Sequence, residues 1–371
     1  MPGIMPDFPA QTLTVDLGPR SYPIYVGTDI LGKFGTAFCY YNLGRQAVII
    51  SDENVAPLHA SKLARSLADT DIKTHIITVA AGESSKGMQV LQSIYDQLFD
   101  FNLERRDSII ALGGGVVGDL AGFVAATFKR GVNFVQVPTS LLAMVDSSIG
   151  GKTGINHPRG KNMIGAFYQP KLVFADTAVL GTLPARQLGC GLAETVKHAV
   201  IRDANFFSHL QKNAKNILNL QQELMADLVL RNCRIKSAVV SADEQEAHLR
   251  GILNYGHTIG HTLETVKTAH DYHHGEAVAL GIVAANKLAL QRKLIDTDSQ
   301  QKIIQLLTAF NLPTSVDEKL PVDKLYHAMQ QDKKVQTGKI KFVVPTSIGD
   351  CTFVDDFTED QIKAAMKSLS A

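Results

Sequence analysis

The sequence predicts an α/β domain with a mostly parallel sheet, residues 1–182, followed by a mainly α-helical domain, residues 183–371. Three observations carry that division. Short apolar runs alternate with helical patterns in the first half, the mark of parallel strands covered on both faces. Strand patterns nearly cease after Leu183, where long helical periodicities take over. The turn-rich stretch GTLP at 181–184 stands between the two.

The elements follow in order. LTVD at 13–16 and YPIYV at 22–26 read as extra edge strands. The apolar runs at 47–51, 75–79, 108–112 and 132–137 read as buried strands, with a weaker one at 171–174. A helix at 89–99 places Val90, Leu91, Ile94 and Leu98 on one face. Helices are predicted at 185–201, 205–211, 221–242, 256–266, 276–290, 298–310 and 322–331, with a late strand at 340–344.

Composition sets the class. The 371 residues carry 37 Lys and Arg against 36 Asp and Glu, a formal net charge of +1. That balance gives no global reason to bind nucleic acid or an anionic membrane. Hydrophobic residues make up 45%, enough for a packed core and too many for a disordered chain. Cys39, Cys190, Cys233 and Cys351 lie far apart with no CxxC pair, so the expectation is reduced thiols rather than disulfides or a thiolate zinc site. The N-terminal stretch has no basic start and no apolar core, and no run reaches the ~18 residues of a spanning helix. A cytoplasmic protein is expected.

Three segments carry chemistry. The first is SIIALGGGVVGDLAGF, in which Gly113, Gly115 and Gly118 follow a strand and open a helix. Glycines there let a backbone approach a pyrophosphate at a helix N-terminus. The motif lies far from the first βα unit and lacks an acidic residue about 20 positions on, so a tight structural turn is an equal reading. Asp52 does end an earlier strand, and AAGESSKG at 80–87 is a second loop of this kind. The second segment, residues 138–169, holds five glycines with Lys152, Arg159 and Lys161 and little periodicity. It is no P-loop, because the first glycine of that motif would fall on Asp146. Lys152, Lys161 and Asn162, with Arg130 upstream, suit a phosphate or carboxylate; each cation alone reads better as a solvated surface charge, and their concentration near glycines is what raises an anion site to an equal reading.

The third segment carries five histidines: His257, His261, His270, His273 and His274. His257 and His261 are four apart and share a helix face. HExxH is absent, which excludes the zinc-peptidase pattern. Glu194 sits in an otherwise apolar helix, where an unpaired carboxylate is costly, with Lys197 and His198 within a turn. Imidazole and carboxylate suit a catalytic divalent metal, but spacing does not choose among the histidines, and satisfied structural or surface histidines are the competing reading.

Taken together, GGGVVGDLAGFVAATFKRG, QVPTSLLAMVDSSIGGKTGIN, GKNMIGAFYQP, LPARQLGCGLAETVKHA, RGILNYGHTIGHTLE and HHGEAVALG resemble the 3-dehydroquinate synthase family of sugar phosphate cyclases. The resemblance implies a Rossmann-like NAD-binding domain, a helical metal- and substrate-binding domain, an active site in the cleft between them, and a homodimer. It implies NAD and one divalent metal, zinc or cobalt, as cofactors. It implies Glu194, His257 and His274 as metal ligands. NAD contacts would fall at Asp52, Asn54, Gly82, Glu83, Lys86, Gly114, Gly115, Val116, Asp119, Thr139, Ser140, Lys152, Lys161 and Thr182. Catalytic and substrate contacts would fall at Lys152, His261, Asp146, Asn162, Arg130, Lys197, Lys236, Arg250 and Asn254, with Lys333, Lys334 or Lys341 toward the phosphate. Ser140 stands where some relatives have a second threonine.

The implied reaction takes 3-deoxy-D-arabino-heptulosonate 7-phosphate to 3-dehydroquinate and phosphate, in the shikimate pathway of aromatic amino-acid biosynthesis. Its steps are transient oxidation by NAD, β-elimination of phosphate, re-reduction, ring opening and intramolecular aldol closure. The competing readings are another sugar phosphate cyclase, or a metal-dependent NAD-linked polyol-phosphate dehydrogenase.

Overall fold

The protein is described here by a computed structural model covering residues 10–266, 268–331 and 339–370. The chain groups into two compact units. One comprises Met1–Leu183 with Met225–Gln245, the other Pro184–Leu224 with Glu246–Ala371.

The first unit is built on β1 (Ala10–Val15), β2 (Tyr22–Gly27), α1 (Phe34–Tyr40), β3 (Gln46–Asp52), α2 (Ser61–Ala68), β4 (Lys73–Val79), α3 (Met88–Asp100), β5 (Ser108–Gly113), α4 (Gly115–Thr127), β6 (Asn133–Pro138), β7 (Lys152–His157), β8 (Gly160–Phe167) and β9 (Leu172–Asp176). Seven strands form one sheet in the order β1-β2-β9-β6-β5-β3-β4. All pairs are parallel except β1 with β2. The strands are short runs of Val, Ile, Ala and Leu, and β5 is buried at every position. That is how a strand covered on both faces reads. Val48, Ile50, Ile109, Leu120, Val124 and Phe134 belong to one buried cluster with the inner face of α3. Each such side chain contributes roughly 1.5–3 kcal/mol by leaving water.

Two features differ from the sequence expectation. Of the two strands expected at an edge, only β1 is one; β2 lies between β1 and β9 and is almost wholly buried. The stretch 138–169, read as a long loop with little periodicity, forms regular structure: a π-helical turn at Ala143–Ser147 leads into the β7–β8 hairpin. Its glycines belong to the pairing, since Gly154 faces Gly165 across the hairpin.

The remaining elements are α5 (Ala185–Arg202), α6 (Ala204–Leu218), α7 (Gln222–Ala242), α8 (His257–Thr265), α9 (His274–Gln291), α10 (Thr297–Ala309), α11 (Val322–Gln331), β10 (Phe342–Ser347), β11 (Asp350–Val354) and α12 (Glu359–Lys367). Most of α7 belongs to the first unit. Its Cys233 Sγ lies 3.5 Å from the Met144 carbonyl. In the second unit α5 and α9 are buried almost all round, the pattern of central helices. The sequence reading placed α6 at only 205–211, but the helix runs to Leu218 on a face of Phe207, Leu210, Ala214 and Ile217. It starts at Asp203, whose carboxylate accepts the Phe206 N–H at 2.8 Å. Among the described residues no helix is long and apolar enough to cross a membrane.

Candidate active site

In the first unit the polar candidates gather where parallel strands end. Asp52 ends β3, residues 80–86 follow β4, Gly113–Gly115 join β5 to α4, Thr139 and Ser140 follow β6, and Thr182 lies six residues beyond β9. The chain leaves β3 toward β4 on one side, and β5 then pairs on the other. Such a switch point opens a crevice at the carboxyl ends of the strands, the usual ligand position in open α/β sheets. Asp52 Oδ1 accepts the Asn54 and Val55 N–H groups at 2.9 and 3.0 Å. The Thr139 N–H donates to the Gly113 carbonyl at 3.0 Å, which ties the ends of β5 and β6 together. Gly82 adopts a left-handed φ of 93° with open space where a side chain would stand. Val116 lies in the first turn of α4. Thr182 Oγ1 lies 3.0 Å from His59 Nε2, a partner 123 positions away that no motif marks.

Lys86 is the centre of this end of the unit. Only 2% exposed, its ammonium donates to Asp119 Oδ2 at 2.7 Å and to Asn162 Oδ1, with Glu83 Oε2 at 3.9 Å. Burial raises the Asp119 carboxyl above the usual aspartate range, and the Lys86 charge works against that shift. Lys152, Lys161 and Asn162 stand on the hairpin, and the two lysines are exposed. Arg130 is exposed at a turn where Lys129 and Arg130 both have positive φ, 48° and 64°. Lys236 of α7 is buried and donates to Asp146 Oδ1 at 2.6 Å and to the Asp146 carbonyl at 2.5 Å.

The second unit brings together Glu194 of α5 with His257 and His274, the first residues of α8 and α9. Glu194 Oε1 lies 3.3 Å from His257 Nε2 and 3.2 Å from His274 Nε2. The outer ring nitrogens face acceptors: His257 Nδ1 is 3.1 Å from the Tyr255 carbonyl, and His274 Nδ1 is 3.2 Å from Glu264 Oε1. A carbonyl only accepts, so the His257 Nδ1 carries the proton and its Nε2 lone pair faces a carboxylate oxygen. Two electron-rich atoms at that distance are satisfied by a cation between them. The three donor atoms lie close enough to share one ion. Imidazole nitrogen and carboxylate oxygen suit zinc-like ions, and the outer hydrogen bonds are those of metal-binding histidines.

The electrostatics agree. Glu194 is fully buried; burial opposes its charge, but Lys197 and then His257 outweigh it and hold the carboxyl well below the usual range. Lys197, itself buried, is ion-paired with Glu194 Oε2. Burial pushes the His257 imidazole down against the pull of Glu194. Burial also works against charge on His274, yet hydrogen bonds to Glu194 and Glu264 overcome it and hold that ring up to about 10. Two carboxylates thus draw positive charge to this point.

Helix packing fixes the geometry. The Arg186 guanidinium clasps Glu276 at 2.6 and 2.7 Å and donates to the Asp271 carbonyl at 2.8 Å. Glu276 accepts the His273 N–H at 2.8 Å, which caps α9 next to His274. Gly275 lets this first turn touch α5: a Cβ there would stand 2.3 Å from Cys190 Cα. The ring of His261, one turn along α8, lies 5.1 Å from that of His257. Arg250 is buried, and Asn254 Nδ2 donates to Glu246 Oε1 at 3.2 Å. His270 and His273 are outside the cluster. The Lys341 ammonium stands 3.9 Å over the Phe353 ring. Lys333 and Lys334 lie outside the described residues.

Sequence reasoning missed Glu264, Asn156 and His59. Glu264 was within reach, since His257, His261 and Glu264 follow the i, i+4, i+7 spacing of one helix face.

Comparison with known proteins completes the picture. The sequence model of the 3-dehydroquinate synthase N-terminal region matches residues 76–190, and that of the C-terminal region matches 191–335. A 3-dehydroquinate synthase of Desulforamulus reducens is 47% identical over 355 residues, 96% of this chain and 99% of the relative. One of Shewanella frigidimarina is 42% identical over 97% of this chain and 100% of its own length. A 2-epi-5-epi-valiolone synthase of Streptomyces hygroscopicus, solved with NAD+ and Zn2+ bound, superposes with a TM-score of 0.86 at 28% identity, covering 94% and 96% of the two chains. A 2-deoxy-scyllo-inosose synthase, solved with carbaglucose-6-phosphate, NAD+ and Co2+, shares the fold at TM-score 0.86 and 24% identity, covering 96% and 100%. Matched by both regional models and by relatives of near-equal length, the chain belongs to the 3-dehydroquinate synthase family.

Proposed function

We propose that this enzyme converts 3-deoxy-D-arabino-heptulosonate 7-phosphate to 3-dehydroquinate and phosphate, with NAD and one divalent metal ion, as a cytoplasmic homodimer. The observation that carries it is the convergence of Glu194, His257 and His274, each histidine backed by an acceptor on its far nitrogen. In this reading the first unit binds NAD and the second holds the metal.

Glu194, His257 and His274 would hold a zinc or cobalt ion, which when bound would supply Lewis-acid polarisation of a substrate oxygen, while NAD would reversibly accept hydride. The chain's own residues do the rest. Gly114, Gly115 and Val116 present N–H groups of the α4 N-terminus to the dinucleotide phosphates. Asp52 and Asn54 would contact the dinucleotide, and Lys86, held by Asp119, keeps a positive charge in the crevice. Gly82, Glu83, Thr139, Ser140, Lys161 and Thr182 complete that surface. Lys152, Asn162 and Arg130 offer cations and an amide to the departing phosphate, whose developing charge they stabilise. Lys197, Lys236, Arg250, Asn254 and Asp146 bind and orient the substrate's carboxylate and hydroxyls. His261 can hold or move a proton near neutral pH.

The test follows phosphate release and NADH absorbance together, with purified protein, the heptulosonate phosphate, metal and trace NAD. Stoichiometric phosphate with no net NADH, abolished by chelator and by Lys152→Ala, is the expected outcome. NADH accumulating without phosphate makes the enzyme a dehydrogenase. Turnover of a carboxylate-free sugar phosphate instead makes it a sister cyclase.

A further inference from the structure

We propose that Asn156 is a positioning residue that joins the loop at 82–86 to the β7–β8 hairpin, so that the dinucleotide-facing loop and Asn162 order as one body. The inference rests on the assignment of NAD to the first unit. Asn156 itself has no place in that assignment.

The Asn156 side chain is used at both ends. Its Oδ1 accepts the Asn162 N–H at 2.8 Å, and its Nδ2 donates to Glu83 Oε2 at 2.7 Å. Its own N–H donates to the Lys86 carbonyl at 2.7 Å. The amide orientation is fixed by its partners. Turned over, it would set a donor against an N–H and an acceptor against a carboxylate. The Asn162 N–H belongs to a residue with φ of +56°, a left-handed conformation that costs a non-glycine residue energy. The bond from Asn156 holds the backbone there, which aims Asn162 Oδ1 at the Lys86 ammonium. The loop therefore closes on itself from Lys86 to Asn162 to Asn156 and back to Glu83 and Lys86. Loss of the Asn156 side chain opens that ring at two of its joints, the bonds to Glu83 and to the Asn162 N–H, and frees the backbone that aims Asn162 at Lys86.

Two measurements decide it. The first is a double-mutant cycle on NAD affinity, by calorimetry on the metal-loaded protein. Asn156→Asp keeps the acceptor for Asn162 but sets a carboxylate against Glu83. Adding Glu83→Gln restores a donor–acceptor pair with reversed polarity. The expected result is an NAD affinity about tenfold weaker in Asn156→Asp, the worth of one charged hydrogen bond, and a partial recovery when Glu83→Gln is added. Additive losses, within about twofold, overturn the proposal. The second measurement needs no NAD. Amide hydrogen exchange in Asn156→Ala should quicken at both 82–86 and 158–166 while α4 and β5 stay protected. Quickening at only one segment, or at neither, overturns it. A wild-type protein that fails to bind NAD sinks the cofactor assignment, while the exchange result still decides whether Asn156 joins the two segments.

Discussion

Glu264 Oε1 lies 3.2 Å from the Nδ1 of His274, on the side of the ring away from Glu194. The carboxylate fixes the ring's orientation and makes Nε2 the better lone-pair donor. Glu264→Gln should weaken metal binding about 10- to 100-fold, the range seen when such an outer partner is lost. Competition with a chelator measures this directly. An unchanged affinity would mean that packing alone orients His274.

Gly275 has no room for a side chain, because a Cβ would stand 2.3 Å from Cys190 Cα and 3.0 Å from its nitrogen. Both neighbours are helix backbone, so neither gives way cheaply. Gly275→Ala should lift the first turn of α9 from α5 and carry His274 away from Glu194. The expected stability loss is about 1–3 kcal/mol, with a larger proportional loss of bound metal. Thermal unfolding and metal content of the purified variant test it. Normal metal content at lowered stability would separate packing from ligation.

What could be read in the sequence followed from how strongly burial marks the residues. Strands β3, β5 and β6 are continuous apolar runs because both faces are covered, and they stood out. The β7–β8 hairpin did not, since its residues include Lys152, Asn156, Lys161, Asn162 and three glycines. Its order comes from cross-strand bonds and from the ring through Lys86, which are tertiary. The histidine cluster was half legible. Helical spacing grouped His257 with His261, but the partner that closes the set, His274, arrives from the next helix. Only the family resemblance singled it out.

Glu318 holds the connection that leads into α9. It accepts the Ala269 N–H at 2.8 Å and the Tyr272 hydroxyl at 2.9 Å. Burial opposes its charge, but these two bonds outweigh that and bring the carboxyl below its ordinary value. A depressed folded pKa means stability that is present above the unfolded value of about 4.3 and lost as pH falls through the folded one. Wild type should therefore exceed Glu318→Gln in melting temperature at pH 6, and the gap should close on acidification below about 4. A gap that persists at pH 3 would assign the effect to shape rather than charge.

The ion-paired partners Lys86 and Asp119 differ in burial. Lys86 is 2% exposed, while the Asp119 side chain keeps 24% of its surface. Removing one member of a fully buried pair costs roughly 3–5 kcal/mol. Partial solvation of Asp119 brings Lys86→Met toward about 2–3 kcal/mol by the same reasoning. The loss should depend on pH. Burial already raises the Asp119 pKa and Lys86 restrains it, so the variant lets it climb further. A carboxyl with a raised folded pKa imposes no penalty below its unfolded value of about 3.9 and loses stability as pH rises through the folded pKa. Lys86→Met should thus lie closest to wild type near pH 4, fall away as pH increases, and level off once Asp119 has ionised. Adding Asp119→Asn removes the titrating group and should flatten that slope. Denaturant titrations across pH 4–8 read the slope. If the double variant keeps it, the charge that Lys86 neutralises is not Asp119.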